Sequence, residues 1–162
     1  MRTVLIGLIF LSLAQRATAA ITVGKKSPAF ALTDLNGKVW SPEKDSKHKL
    51  LLVDFWASWC APCLRGIPTL KKLQAAHGAD GKFTVLGISM EKGGRSAVEA
   101  AAVKYSVDYP VLVGSADTAK AFGVKGFPTA VLIRDGKVLK VLSGERKLSD
   151  FETELAPFFV TP

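Results

Sequence analysis

Residues 50–56 read Leu-Leu-Leu-Val-Asp-Phe-Trp, an unbroken apolar run but for Asp54. Without polar alternation, such a run is a strand buried on both faces, so the sheet holding it must be covered by a layer on each side. The next stretch has helical character. Pro62 sits where a helix can begin, because its fixed φ and missing N–H are tolerated there. Leu64, Ile67, Leu70 and Leu73 recur at helical spacing to about His77, and Gly78 is the stop signal. Pro68 lies inside this pattern and is expected to kink it. Strands are expected at 83–90 and 111–113, and helices at 96–105 and 117–122. Residues 129–134 and 137–142 flank Asp135-Gly136, a strong hairpin signal. The chain closes with a helix over 149–159, capped by Ser149 and Glu152. Before the apolar run, residues 24–49 are a polar lead-in in which 29–33 and 38–40 pair across Asn36-Gly37. This order predicts an α/β fold: a mixed sheet with a parallel core and an antiparallel edge hairpin, helices on both faces, and an N-terminal hairpin extension.

The first residues are of another kind. Met1-Arg2-Thr3 is positive, 4–13 is apolar, and Ala17-Thr18-Ala19 fits a small-x-small cleavage site, so 1–19 read as a secretory signal peptide. The apolar run is about half of what a spanning helix needs. The alternative is an uncleaved anchor, the one case in which the protein would contact the membrane. The domain is then 20–162, exported and most simply periplasmic. Without Arg2 and Arg16 it carries +6 rather than the +8 of the whole chain. The basic residues are scattered, which argues against nucleic-acid binding.

Export changes how the two cysteines, Cys60 and Cys63, are read. A bond across C-x-x-C closes a very short loop, worth roughly 2 kcal/mol against about 3 for a fifteen-residue loop. A domain of this size does not need so weak a staple. Zinc needs two further ligands, and His48 and His77 lack ligand spacing. A redox role suits the position better. Cys60 falls where the helix begins, beyond the C-terminal end of a buried strand, and the unpaired N–H groups and helix dipole there favour a thiolate. Cys63, one turn on and buried, is placed to attack a mixed disulfide formed at Cys60.

The segment 53–63, Val-Asp-Phe-Trp-Ala-Ser-Trp-Cys-Ala-Pro-Cys, resembles the active-site segment of the thioredoxin superfamily. Gly126-Phe127-Pro128-Thr129 resembles its proline loop. The lead-in, with Pro28-x-Phe30-x-Leu32 and Asp34-x-Asn36-Gly37-Lys38, looks like the exported TlpA/ResA-type branch, and the likeness spans about 23–160. It implies a thioredoxin-like fold. It also implies a thiol–disulfide oxidoreductase whose only redox centre is the Cys60/Cys63 pair, with no bound cofactor or metal. Cys60 would attack and Cys63 resolve. The Phe127–Pro128 bond would be cis rather than a trans bond opening a strand. Trp59, Pro62, Phe127 and Thr129 would border the substrate. Asp54, deprived of hydration among apolar neighbours, should have a raised pKa and trade a proton with Cys63. The exported branch often has an amide there. Glu91 matches a glutamate near the active site of ResA-like proteins, but it reads equally as a solvated acid. Lys92 and Arg95 read as solvated loop charges.

Ala61 offers no side-chain donor and Pro62 no N–H, so nothing in the dipeptide pushes Cys60 toward a strong oxidant. The resemblance implies a monomer that takes electrons from a membrane thiol donor and passes them to disulfides of exported proteins, as in cytochrome c or oxidase copper-site maturation. Two alternatives belong to other classes. A peroxiredoxin-like thiol peroxidase would need a Pro-x-x-x-Thr-x-x-Cys arrangement, which Ala57-Ser58-Trp59-Cys60 lacks. A non-enzymatic peptide- or Cu(I)-binding module would use the two thiolates as soft ligands.

Overall fold

The computed structural model describes residues 21–160, so the expected signal segment lies outside the described residues. Chain order is β1 (Leu32–Thr33), β2 (Val39–Trp40), α1 (Pro42–Asp45), β3 (Leu50–Trp56), α2 (Ala61–His77), β4 (Phe83–Ser89), α3 (Gly94–Lys104), β5 (Val111–Val113), α4 (Ala116–Ala121), β6 (Thr129–Arg134), β7 (Lys137–Ser143) and α5 (Leu148–Phe159). The main sheet runs β5-β4-β3-β6-β7. β3, β4 and β5 are parallel, while β6 pairs antiparallel with both β3 and β7.

All seven residues of β3 are buried, as its unbroken apolar run requires. Its alternate residues serve two cores. Leu50 and Leu52 pack with Leu70 and Leu73 of α2 and Phe151 and Leu155 of α5, and Trp56 packs with Ile67 and with Val98 and Ala101 of α3. Leu51, Val53 and Phe55 face the other way, onto Phe122 and Trp40. Thus α2, α3 and α5 cover one face, while α4 and the N-terminal lead-in cover the other. After β3 the chain moves outward through β4 to β5 and returns through α4 to β6 on the opposite side of β3. The C-terminal end of β3 is therefore the point where the topology reverses, the place where open α/β sheets hold their chemistry.

The lead-in is tied down by hydrogen bonds. Gly24 N–H donates to Val138 O, Val138 N–H to Lys25 O and Ser27 N–H to Gly136 O, which caps part of the exposed edge of β7. Asp34 is 3 % exposed and accepts from the N–H groups of Asn36 and Lys38 and from Trp40 Nε1. Burial pushes its pKa up, but these donors outweigh burial and hold the carboxyl below its ordinary value.

Three local expectations need correction. The lead-in contains the short helix α1, which sequence periodicity does not show. It is four residues long, and its value is tertiary: Ser46 at its end receives Asp135 N–H on its carbonyl and Gly136 N–H on its hydroxyl, pinning the β6–β7 turn. The cap of α5 lies two residues earlier than Ser149: Lys147 N–H donates to Asp150 Oδ2 at 3.0 Å. Glu152 meets His77 Nε2 at 2.9 Å instead. Arg95 is no free loop charge, because it donates to the carbonyls of Asp34 and Leu35 and pairs with Glu99. That ties the β1–β2 hairpin to α3.

Candidate active site

Cys60 is the N-cap residue of α2. Its backbone is extended, and its Sγ accepts from Cys63 N–H at 3.3 Å. The sulfur thus stands at the end of a seventeen-residue helix, facing N–H groups that favour negative charge. Pro62, in the first turn, lacks a donor where none is needed. Cys60 and Cys63 are joined as a disulfide, with Cα atoms 5.3 Å apart. Cys60 keeps 6 % of its exposure and Cys63 3 %, so both are largely covered, Cys63 the more so.

The loop 126–129 borders this disulfide. The Phe127–Pro128 bond is cis. Thr129 is buried at the start of β6, and its hydroxyl donates to Gly126 O at 2.8 Å, closing the loop on itself. Trp59 is 59 % exposed and meets Phe127 edge to face, ring centres 5.5 Å apart. These two rings form an apolar rim next to Cys60. A groove of about 510 Å³ continues past the loop along Phe127, Pro128, Thr129, Val141 and Ser143.

Beneath the disulfide lies Asp54. It projects toward α2 and lines, with Cys63, Leu70, Pro128, Ala130 and Phe151, a narrow cavity of about 20 Å³, room for one water. Burial lifts its pKa from 3.8 to about 7. The carboxyl and Cys63 therefore line one narrow space, in a pH range where the carboxyl can both take and give a proton. Glu91, in the loop after β4, accepts from Ser58 N–H. It thereby fastens the turn between β3 and Cys60 and is not a solvated acid.

Sequence reading does not find Arg65, Glu145 and Arg146. Glu145 and Arg146 line the Asp54 cavity, and Arg65 on α2 holds Glu145 with a two-pronged ion pair. The Arg65 guanidinium lowers the Glu145 pKa chiefly through this hydrogen bond. No spacing rule links positions this far apart in the chain, so no sequence signal exists. A cavity of about 870 Å³ lies elsewhere, at the far ends of β3 and β4 beside His48, His77 and Phe159. It contains neither cysteine.

A C-x-x-C disulfide capping a helix, beside a cis-proline loop at the reversal point of this sheet, defines a thioredoxin-like thiol–disulfide oxidoreductase. Comparison with known proteins agrees. The chain is 31% identical over 135 residues to the thiol-disulfide oxidoreductase ResA of Bacillus thuringiensis subsp. konkukian, covering 82% of this chain and 76% of that one. It is 29% identical to the ResA of Geobacillus thermodenitrificans, covering 96% and 92%. Among solved structures, a thiol:disulfide interchange protein of the thioredoxin family from Chlorobium tepidum TLS superposes with a TM-score of 0.72 at 26% identity, covering 86% of this chain and 99% of that one. The Redoxin family profile matches residues 22–155, and the chain belongs to that family.

Proposed function

We propose that the protein reduces disulfides of exported proteins in the periplasm, with Cys60 as attacking and Cys63 as resolving thiol. The observation that carries this is the pairing of a helix-capping Cys60 with a Cys63 that shares its cavity with Asp54. In the reduced form the Cys60 thiolate attacks a substrate disulfide. One S–S bond breaks and one forms, and the departing substrate sulfur takes a proton. Asp54 then takes the proton of Cys63, whose sulfur attacks Cys60 Sγ and expels the second substrate sulfur, and Asp54 passes that proton on to the departing thiolate. Two electrons and two protons reach the substrate, and Cys60–Cys63 is left oxidised. The pair itself carries the electrons, so no cofactor is involved.

Each turnover then requires a dithiol donor, and in an oxidising compartment a membrane thiol transporter meets that need. The cis-proline loop offers backbone polar groups to an extended substrate, and Trp59, Pro62 and Phe127 offer apolar contact. Among the described residues no helix is long and apolar enough to cross a membrane, and the N-terminal segment, if retained, would be the tether. The working unit is a monomer, with substrates in the class of apocytochrome c or oxidase copper-site proteins.

The test is Cys63→Ser in insulin reduction. The variant should accumulate a mixed disulfide at Cys60 and lose turnover. Turnover that survives would overturn the resolving role. Trapping with the same variant in whole cells identifies the substrates.

A further inference from the structure

The cavity that Asp54 and Cys63 line has two unlike walls. Asp54, Cys63, Leu70, Ala130, Leu142 and Phe151 are buried. Gly66, Pro128, Gly144, Glu145 and Arg146 make the other wall and are half-buried or exposed. The cavity therefore opens toward solvent between α2 and the loop that joins β7 to α5.

No side chain of α2 plugs this mouth at Gly66, where an added Cβ would meet nothing within 4 Å. An ion pair spans it instead. Arg65, next to Gly66, sends its guanidinium across to Glu145, with Nε 3.0 Å from Oε1 and Nη2 2.6 Å from Oε2. The loop end of this strap is fixed. Gly144 N–H donates to Pro128 O at 2.9 Å, and Arg146 donates to Ser143 O and to Glu154 on α5. The strap itself faces water, the Arg65 side chain being 61 % exposed and that of Glu145 38 %. An exposed pair is weak and screened by salt, so it can open without disturbing the core. A cover of this kind has a use in a disulfide relay. Cys63 must reach Cys60 inside the fold, while reagents in solvent compete for its sulfur.

We propose that Arg65 and Glu145 form a gate over the cavity of Asp54 and Cys63, as positioning residues that reserve the resolving thiol for attack on Cys60 and keep it from solvent. The proposal rests on the reading of Cys63 as the resolving thiol.

The experiment measures alkylation of Cys63 by iodoacetamide, a neutral reagent, in the full chain carrying Cys60→Ser, which leaves Cys63 the only thiol. Arg65→Gln and Glu145→Gln should each raise the rate about threefold, the effect of losing an exposed ion pair. The two substitutions remove opposite charges, so an effect on the ionisation of the thiol alone would move the rate in opposite directions. The charge-exchanged chain, with Arg65→Glu and Glu145→Arg together, should bring the rate back toward that of the intact pair. Raising salt from about 0.01 to 1 M shortens the screening length from about 30 to 3 Å. It should speed alkylation where the pair is intact and leave either Gln variant nearly flat. Rates that stay in place, shift in opposite directions, fail to recover in the exchanged chain or ignore salt overturn the gate. The reading beneath it fails separately: turnover that survives Cys63→Ser in insulin reduction removes the resolving role, whatever alkylation shows. If Cys63→Ser loses turnover and the alkylation rates stay in place, the gate alone is refuted.

Discussion

Asp54→Asn should stabilise the protein at neutral pH, and by an amount that depends on pH in a fixed way. The carboxyl has a pKa of 3.8 when hydrated and about 7 in the fold, through burial. The folded chain therefore binds this proton more tightly than the unfolded chain does. Stability is highest below the unfolded value, falls as pH rises through the window between the two, and is flat above about 7. At about 1.36 kcal/mol per pH unit, the window is worth about 4 kcal/mol. The amide is close in shape and does not ionise, so the variant escapes this fall. Urea unfolding of the oxidised proteins between about pH 4.5 and 8 measures it. The stability difference, variant minus parent, should grow by about 1.4 kcal/mol per pH unit up to near pH 7 and then level off. Groups that titrate alike in both proteins, such as Asp34 and Glu154, cancel in the difference. A difference that does not change with pH would refute the claim that the fold holds this carboxyl as a neutral acid.

Gly87→Ala places a methyl against the Trp56 indole and the Tyr109 ring, at 3.0 and 3.1 Å. Overpacking of this kind should cost about 1–3 kcal/mol in the same unfolding assay. Trp40→Phe removes the indole donor from buried Asp34 and should cost about 1–3 kcal/mol, because the carboxylate stays buried with one partner fewer. The loss should be largest at neutral pH and shrink in acid, where Asp34 takes a proton; a thermal-melt series against pH reads this. Trp59→Ala removes an exposed ring from the rim. It should leave the melting temperature nearly unchanged, raise KM for a protein disulfide severalfold, and leave reduction of a small aromatic disulfide little affected.

The range of each interaction decides how much of the fold and site is legible in the sequence. β3 can be read because its signal, an unbroken run of buried positions, is local and extreme. Asp135-Gly136 marks the β6–β7 turn because few residues tolerate positive φ, and both adopt it, at 51° and 70°. The pairing of β6 with β3 has no local signal, and the cis bond at Pro128 comes from resemblance alone. The cap of α5 misleads because Lys147 is a poor capping residue by type, and the role falls to Asp150, while Ser149 offers a better-looking but unused pattern. α1 escapes because so short a helix carries no period and its Ser46 contacts lie far along the chain, at Asp135 and Gly136. The two cysteines and Asp54 are legible from chemistry and context. Glu145 and Arg146 are not, because they reach the site through the return of β7.

The placement of Asp54 results from the two faces of β3. Leu51, Val53 and Phe55 meet Phe122 after α4 and the lead-in in an apolar core. A carboxyl on that side would be as costly and would lie away from both cysteines. On the other side the alternation runs Leu50, Leu52, Asp54, Trp56, and the third of these lies level with the first turn of α2, where Cys63 must be. A one-residue slip of β3 would bury Val53 or Phe55 against Cys63 and turn the acid into the opposite core, so the register fixes the chemistry. The apolar wall that makes β3 a good strand also raises the carboxyl toward neutrality. The stability lost there at neutral pH and the proton transfer proposed for Asp54 share one origin, and a substitution that removes the first must remove the second.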